Sequence, residues 1–139
     1  MIMLLDDEQE YVENLVAELK SFGLEVHLVS NVDEALRCVE DPSSQLQAIV
    51  CDVMMPHGHA ITAEASRDNL TTGVQFAEKV REVGIEVPIV LITNLDRDRA
   101  PIQGVLEKCR PCTVIHKREQ WSFEIAETIR DLVSEGKHA

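Results

Sequence analysis

A chain of 139 residues, 45% hydrophobic and 27% charged, has the length and balance of one globular domain with a real core. Its formal net charge of −12 argues against nucleic acid or an anionic membrane surface as partner. No apolar run approaches the roughly 18 residues that span a bilayer. The opening MIMLLDDEQE lacks the basic region and cleavage site of a signal peptide, so a cytoplasmic location is expected.

In chain order, MIMLL (1–5) reads as a short apolar strand. Residues 8–22 follow with Val12, Leu15, Val16, Leu19 and Phe22 at helical spacing, and Gly23 stops the helix. EVHLVS (25–30) is a second strand. Residues 31–41 form a helix with Val32, Ala35, Leu36 and Val39 on one face, capped by Ser30 or Asn31 with Asp33 or Glu34 answering, and ended by Pro42. QAIVCDV (47–53) is the third strand. Residues 57–72, HGHAITAEASRDNLTT, are small and polar with little periodicity, and are expected to form a long loop of functional or mobile character. A helix resumes over Gly73–Val83, VPIVLIT (87–93) is the fourth strand, and 98–108 is a helix weakened by Pro101 and Gly104. TVIHK (113–117) is the fifth strand, and 120–135 the last helix, with Phe123, Ile125, Ala126, Ile129, Leu132 and Val133 apolar. Trp121 is expected in the core or as a partial lid on it.

Five strands alternating with five helices imply an α/β domain over 1–139, a parallel sheet covered on both faces by right-handed crossovers. The expected solution is the flavodoxin-like, doubly wound (βα)5 arrangement, order 2-1-3-4-5, with its crevice at the carboxyl ends of strands 1 and 3.

Four cysteines occur. Cys38 and Cys51 sit within apolar patterns and read as small core residues. Cys109 and Cys112 form CRPC, which precedes a strand rather than opening a helix, so it reads as a loop with two thiols and not as a redox or zinc pair. His57 and His59 read as solvated loop histidines.

The carboxyl ends of the expected strands carry the chemistry. Strand 1 ends in Asp6 and Asp7, strand 3 in Asp52, strand 4 in Thr93 and strand 5 in Lys117. Any one polar strand end is unremarkable at a solvent edge. Three carboxylates with a hydroxyl and an amine at one edge ask for more. Two carboxylates about 4 Å apart repel by roughly 4 kcal/mol at an effective dielectric of 20, so such a cluster protonates or binds a cation. A few hard oxygen ligands suit Mg²⁺. With a lysine and a hydroxyl beside it, the set fits phosphoryl transfer onto an aspartate, giving an acyl phosphate.

The pieces LLDDE (4–8), VCDVMMP (50–56), LIT (91–93) and IHK (115–117), in this order, resemble the receiver domain of bacterial two-component response regulators. The resemblance spans the chain apart from 57–72. It implies Asp52 as phosphoacceptor, and Asp6 and Asp7 as the acidic pair that holds Mg²⁺ with Asp52 and the backbone carbonyl of Met54. It implies Thr93 and Lys117 on the phosphoryl oxygens. It implies a phosphohistidine donor on a sensor histidine kinase or phosphotransfer protein, and catalysis confined to the domain's own phosphorylation and dephosphorylation. With no output domain after Val133, the output is expected through a downstream protein partner; the exposed flank of the Ile125, Ile129, Leu132 stripe is a candidate homodimer surface.

Four features depart from the family pattern. The connection after Pro56 is about a dozen residues longer than usual. Asn94 follows Thr93 where the family has a small residue. Val114 stands where many receivers carry an aromatic switch residue. Arg118 follows Lys117 where the family has a cis proline, so a trans bond is expected there. A receiver-like interaction module that works without phosphorylation is the alternative. A dehalogenase-like phosphatase would need Asp-x-Asp rather than Asp6-Asp7, and an FMN-binding flavodoxin would need a glycine- and hydroxyl-rich loop rather than DDEQE.

Overall fold

Apolar strands with no polar alternation must be buried on both faces, and three of the five strands are. The elements are β1 (Ile2–Leu5), α1 (Gln9–Ser21), β2 (Val26–Val29), α2 (Val32–Glu40), β3 (Ala48–Asp52), α3 (Thr72–Glu82), β4 (Ile89–Thr93), α4 (Ala100–Lys108), β5 (Cys112–His116) and α5 (Ser122–Lys137). The structure, a computed structural model, describes residues 1–6, 9–54, 58, 61, 71–93, 100–117 and 121–137. Every residue of β1, β3 and β4 is buried. All strand pairs are parallel, in the order β2-β1-β3-β4-β5 expected from the alternation.

Strand parity divides the core in two. Met3, Leu5, Ile49, Cys51, Ile89 and Leu91 face a layer built from α2, α3 and α4, where Val32, Ala35, Phe76, Val80, Ile102 and Val105 meet them. Ile2, Leu4, Ala48, Val50, Val90 and Ile92 face the opposite layer, where α1 supplies Val12, Leu15 and Leu19 and α5 supplies Ile125, Ala126 and Ile129.

The local signals act as their chemistry requires. Gly23 closes α1 at φ +79°, a conformation that costs glycine little. Of the two candidate caps for α2, Asn31 serves: its Oδ1 accepts from the Glu34 N–H at 2.8 Å. Pro101 does not prevent α4, because it lies in the first turn, where its missing N–H has no intrahelical partner. Gly104 is offset by the burial of Ile102, Val105 and Cys109.

Several expectations are corrected. Thr72 opens α3 instead of closing the loop, and Cys112 opens β5 instead of lying before it. Cys109 is buried just past α4, and none of the four cysteines forms a disulfide. Trp121 is neither core nor lid: it is 80% exposed. It precedes the first helical residue of α5 and occupies the cap position. Its carbonyl accepts from Ile125 N–H at 3.1 Å, and its own N–H donates to Glu124 Oε1 at 3.3 Å. A cap residue leaves the helical direction, so its side chain does not join the stripe that Ile125 begins. Phe123 is half exposed and packs against Phe22 with ring centroids 5.7 Å apart. Ile61, in the connection after β3, is buried in the α2–α3–α4 core layer; apart from residues 58 and 61, the expected loop over 57–70 lies outside the described residues. The Cα of Gly58 lies so near Asp33 that a Cβ would come within 2.9 Å of its carboxylate. His57, His59, Asn94 and Arg118 lie outside the described residues.

Candidate functional site

The parity that sorts the core also assembles the site. Ile2 and Leu4 face the α1–α5 layer, and Asp6, the next residue of that parity, comes directly after β1. Ala48 and Val50 lead to Asp52, the last residue of β3, and Ile115 leads to Lys117, the first residue after β5. Three side chains from three strands thus emerge at the same end of the sheet on the same side.

They meet. Lys117 Nζ lies 2.9 Å from Asp52 Oδ2 and 3.6 Å from Asp6 Oδ2. Asp6 and Asp52 are buried and Lys117 partly so, with side-chain exposures of 7% for Lys117, 4% for Asp52 and 1% for Asp6. The second Asp52 oxygen, Oδ1, accepts from the Met54 N–H at 3.0 Å, which turns the chain sharply after β3 and aims the carboxylate. A charge-assisted bond on each oxygen fixes the group's orientation.

Thr93 is fully buried as the last residue of β4, the strand next to β3. Its carbonyl accepts from the Lys117 N–H at 2.9 Å, which ties the chain leaving β5 to the end of β4. Of the six residues expected at the site, Asp6, Asp52, Lys117 and Met54 converge and Thr93 stands at the neighbouring strand end; Asp7 lies outside the described residues.

Two residues at the site were not singled out in the sequence. Gly73, in the first turn of α3, donates its N–H to the Val53 carbonyl at 2.9 Å, and a Cβ there would fall 2.5 Å from the Asp52 carbonyl oxygen. The α3 terminus therefore rests directly on the backbone of the aspartate. Tyr11, in the first turns of α1, places its ring face 4.8 Å from Lys117 Nζ. The signal for Tyr11 was an aromatic within about one turn of the acidic pair; for Gly73 it was a glycine at the start of an otherwise good helix.

Beside Asp52, Cys51 is wholly buried, and burial first, then the Asp52 charge, push its thiol well above the ordinary range. It is a packed, unreactive neighbour.

Residues 2–119 match the family described as response regulator receiver domain. The chain belongs to that family. Solved receiver domains share the fold at low identity. One from Methanospirillum hungatei JF-1 is 15% identical with a TM-score of 0.75, over 99% of this chain and 95% of that one. The receiver domain of a Francisella response regulator is 17% identical with a TM-score of 0.75, over 97% of each chain. The signal receiver domain of a modulated diguanylate cyclase from Desulfovibrio desulfuricans G20 is 20% identical with a TM-score of 0.70, over 98% of this receiver and 94% of that chain. No curated protein matches the chain.

The donor set of this receiver fits a hard divalent cation. Asp6 and Asp52 are two buried carboxylates beside one lysine, so the trio carries a net charge of −1, and every side-chain donor is an oxygen.

Proposed function

We propose that this receiver accepts a phosphoryl group on Asp52 from a phosphohistidine and signals through a protein partner. The buried Asp52 carboxylate, aimed by Met54 N–H and paired with Lys117 at 2.9 Å, carries the reading.

In the reaction, an Asp52 oxygen attacks the phosphorus, the P–N bond to the donor imidazole breaks, and its electron pair leaves with the imidazole, giving an acyl phosphate. Asp6, Asp52, Asp7 and the Met54 carbonyl are the residues that would hold Mg²⁺, which when bound neutralises charge on the transferring group. Lys117 supplies an ammonium at hydrogen-bonding distance from the acceptor. As the phosphoryl group arrives, that ammonium passes from the carboxylate to the phosphoryl oxygens, where charge develops. Thr93 stands at the next strand end to contribute its hydroxyl. The same residues support self-catalysed dephosphorylation and no other turnover. The response is a shift between two populations of one fold.

The test is intact mass after incubation with acetyl phosphate, with and without Mg²⁺, beside Asp52→Ala. One phosphoryl group that needs Mg²⁺ and vanishes in the variant is the expected result. No uptake from acetyl phosphate or from a phosphorylated histidine donor would favour an interaction module that works without phosphorylation.

A further inference from the structure

We infer that Tyr11 is a positioning residue for Lys117, holding the ammonium at the site through its ring face; the inference rests on Asp52 being the phosphoryl acceptor. Lys117 leaves the sheet after β5, the edge strand, and its ammonium reaches past β4 to Asp52 on β3 and Asp6 after β1. Such a reach needs an anchor on the far side. Tyr11 provides one from α1, which packs against α5 over the same sheet face. The 4.8 Å between Nζ and the ring centroid is within the range at which an aromatic quadrupole attracts a cation, and the attraction is greatest for a desolvated ammonium such as this one.

Three contacts on Lys117 among the described residues differ in what happens during the reaction. Asp52 loses its free carboxylate to the phosphoryl group. Asp6 would be engaged by a divalent cation when one is bound. The Tyr11 ring competes for neither, because a neutral π-face binds no phosphoryl group and offers no hard oxygen. Of these three, it alone keeps the ammonium in place while the other two are taken. Val114 on β5 is aliphatic, and the ring that lies over the Lys117 ammonium comes from Tyr11 on α1.

The experiment compares wild type, Tyr11→Phe, Tyr11→Leu, Lys117→Met and the double variant Tyr11→Leu with Lys117→Met. Each is followed by intact mass for phosphoryl uptake from acetyl phosphate at saturating Mg²⁺ over a range of donor concentrations, and each by urea unfolding. Tyr11→Leu should lose roughly tenfold in maximal rate. Tyr11→Phe keeps the ring and should stay close to wild type. In the Lys117→Met background, Tyr11→Leu should have no further effect, since a residue that acts through Lys117 has nothing left to act on. Unfolding curves that remain cooperative for every variant show that the rates compare folded proteins; coupling between the two sites in the same curves reads the contact itself. Equal losses in Tyr11→Phe and Tyr11→Leu, or additive losses in the double variant, overturn the inference. A wild type that takes up no phosphoryl group from acetyl phosphate or from a phosphorylated histidine donor sinks the acceptor reading, and the positioning role with it, whatever the coupling in the unfolding curves.

Discussion

Gly73→Ala adds one methyl group where the structure has no room for it. The new Cβ would lie 2.5 Å from the Asp52 carbonyl oxygen, 2.7 Å from Val53 Cα and 3.0 Å from the Asp52 carbonyl carbon. All three are backbone atoms, so no side chain can swing away. Nor can the helix end: Thr72, Val74 and Phe76 on either side are buried. Overpacking of this kind costs about 1–3 kcal/mol, against which alanine's better helix propensity returns up to about 1 kcal/mol. The net expectation is a loss of roughly 1–2 kcal/mol, which lowers the urea midpoint by about 1 M for a slope near 1–2 kcal/mol/M. The control is Gly104→Ala in α4, where an added Cβ meets nothing within 4 Å. There only the propensity acts, and stability should rise by up to about 1 kcal/mol. The two substitutions are chemically identical and should move the midpoint in opposite directions. Displacement of the Asp52 backbone should also slow phosphoryl uptake in Gly73→Ala and not in Gly104→Ala. A Gly73→Ala midpoint equal to wild type or above it would refute the close approach of α3 to β3.

Lys117→Met leaves Asp52 and Asp6 buried without their cation, a loss of about 3–5 kcal/mol in urea unfolding without divalent ions; added Mg²⁺ should restore more stability to the variant than it adds to wild type, and equal gains would count against a cation site at these carboxylates. Trp121, the only tryptophan, is exposed, so its native fluorescence should be quenched by acrylamide nearly as well as in urea, and Trp121→Ser should change stability by less than about 0.5 kcal/mol; a shielded emission would contradict its placement. Burial pushes the Cys112 thiol from 9.0 up to about 12, so it stays protonated in the fold while the unfolded chain ionises. Its contribution to stability is therefore complete below pH 9 and is lost as pH rises from 9 toward 12. Cys112→Ala should shrink the fall in stability between pH 8 and pH 10 by about 1 kcal/mol relative to wild type, and an undiminished fall would place the thiol in water.

What the sequence discloses is whatever has a period or a stop. The apolar runs of β1, β3 and β4 leave no alternative to a sheet buried on both faces, and five strand–helix alternations leave few topologies. Element ends are less legible, since a cap is a local bond and two neighbours often could make it, as Ser30 and Asn31 show. Trp121 was misplaced because a large aromatic was expected to bury its area, whereas it precedes the first helical residue of α5 and stays 80% exposed. Phe123 shows that an apolar residue can find one aromatic neighbour, Phe22, and still stay half in water. Long-range approaches have no sequence period at all. Gly73 against Asp52 and Tyr11 against Lys117 depend on how α3 and α1 settle on the sheet, and only coordinates reveal them.

The site follows from the same arithmetic as the core. Parallel strands end at one edge, and a residue two positions after a core residue faces the same side, so Leu4, Val50 and Ile115 specify where Asp6, Asp52 and Lys117 go. Nothing in that arithmetic requires the residues there to be charged. Apolar side chains of similar volume at the three positions would extend the core and avoid the desolvation of three ions, an exchange that is often neutral or stabilising. The chain instead keeps two carboxylates beside one ammonium, so among the described residues the trio holds more negative than positive charge. A grouping that lowers stability and stays unbalanced is explained by what completes it. On the proposed function, a divalent cation would supply positive charge in excess, and the phosphoryl group that arrives with it would restore the balance. Stability alone would favour a closed, neutral strand edge; among the described residues, the buried charges at the ends of β1 and β3 support the proposed function of a site that takes up ligands.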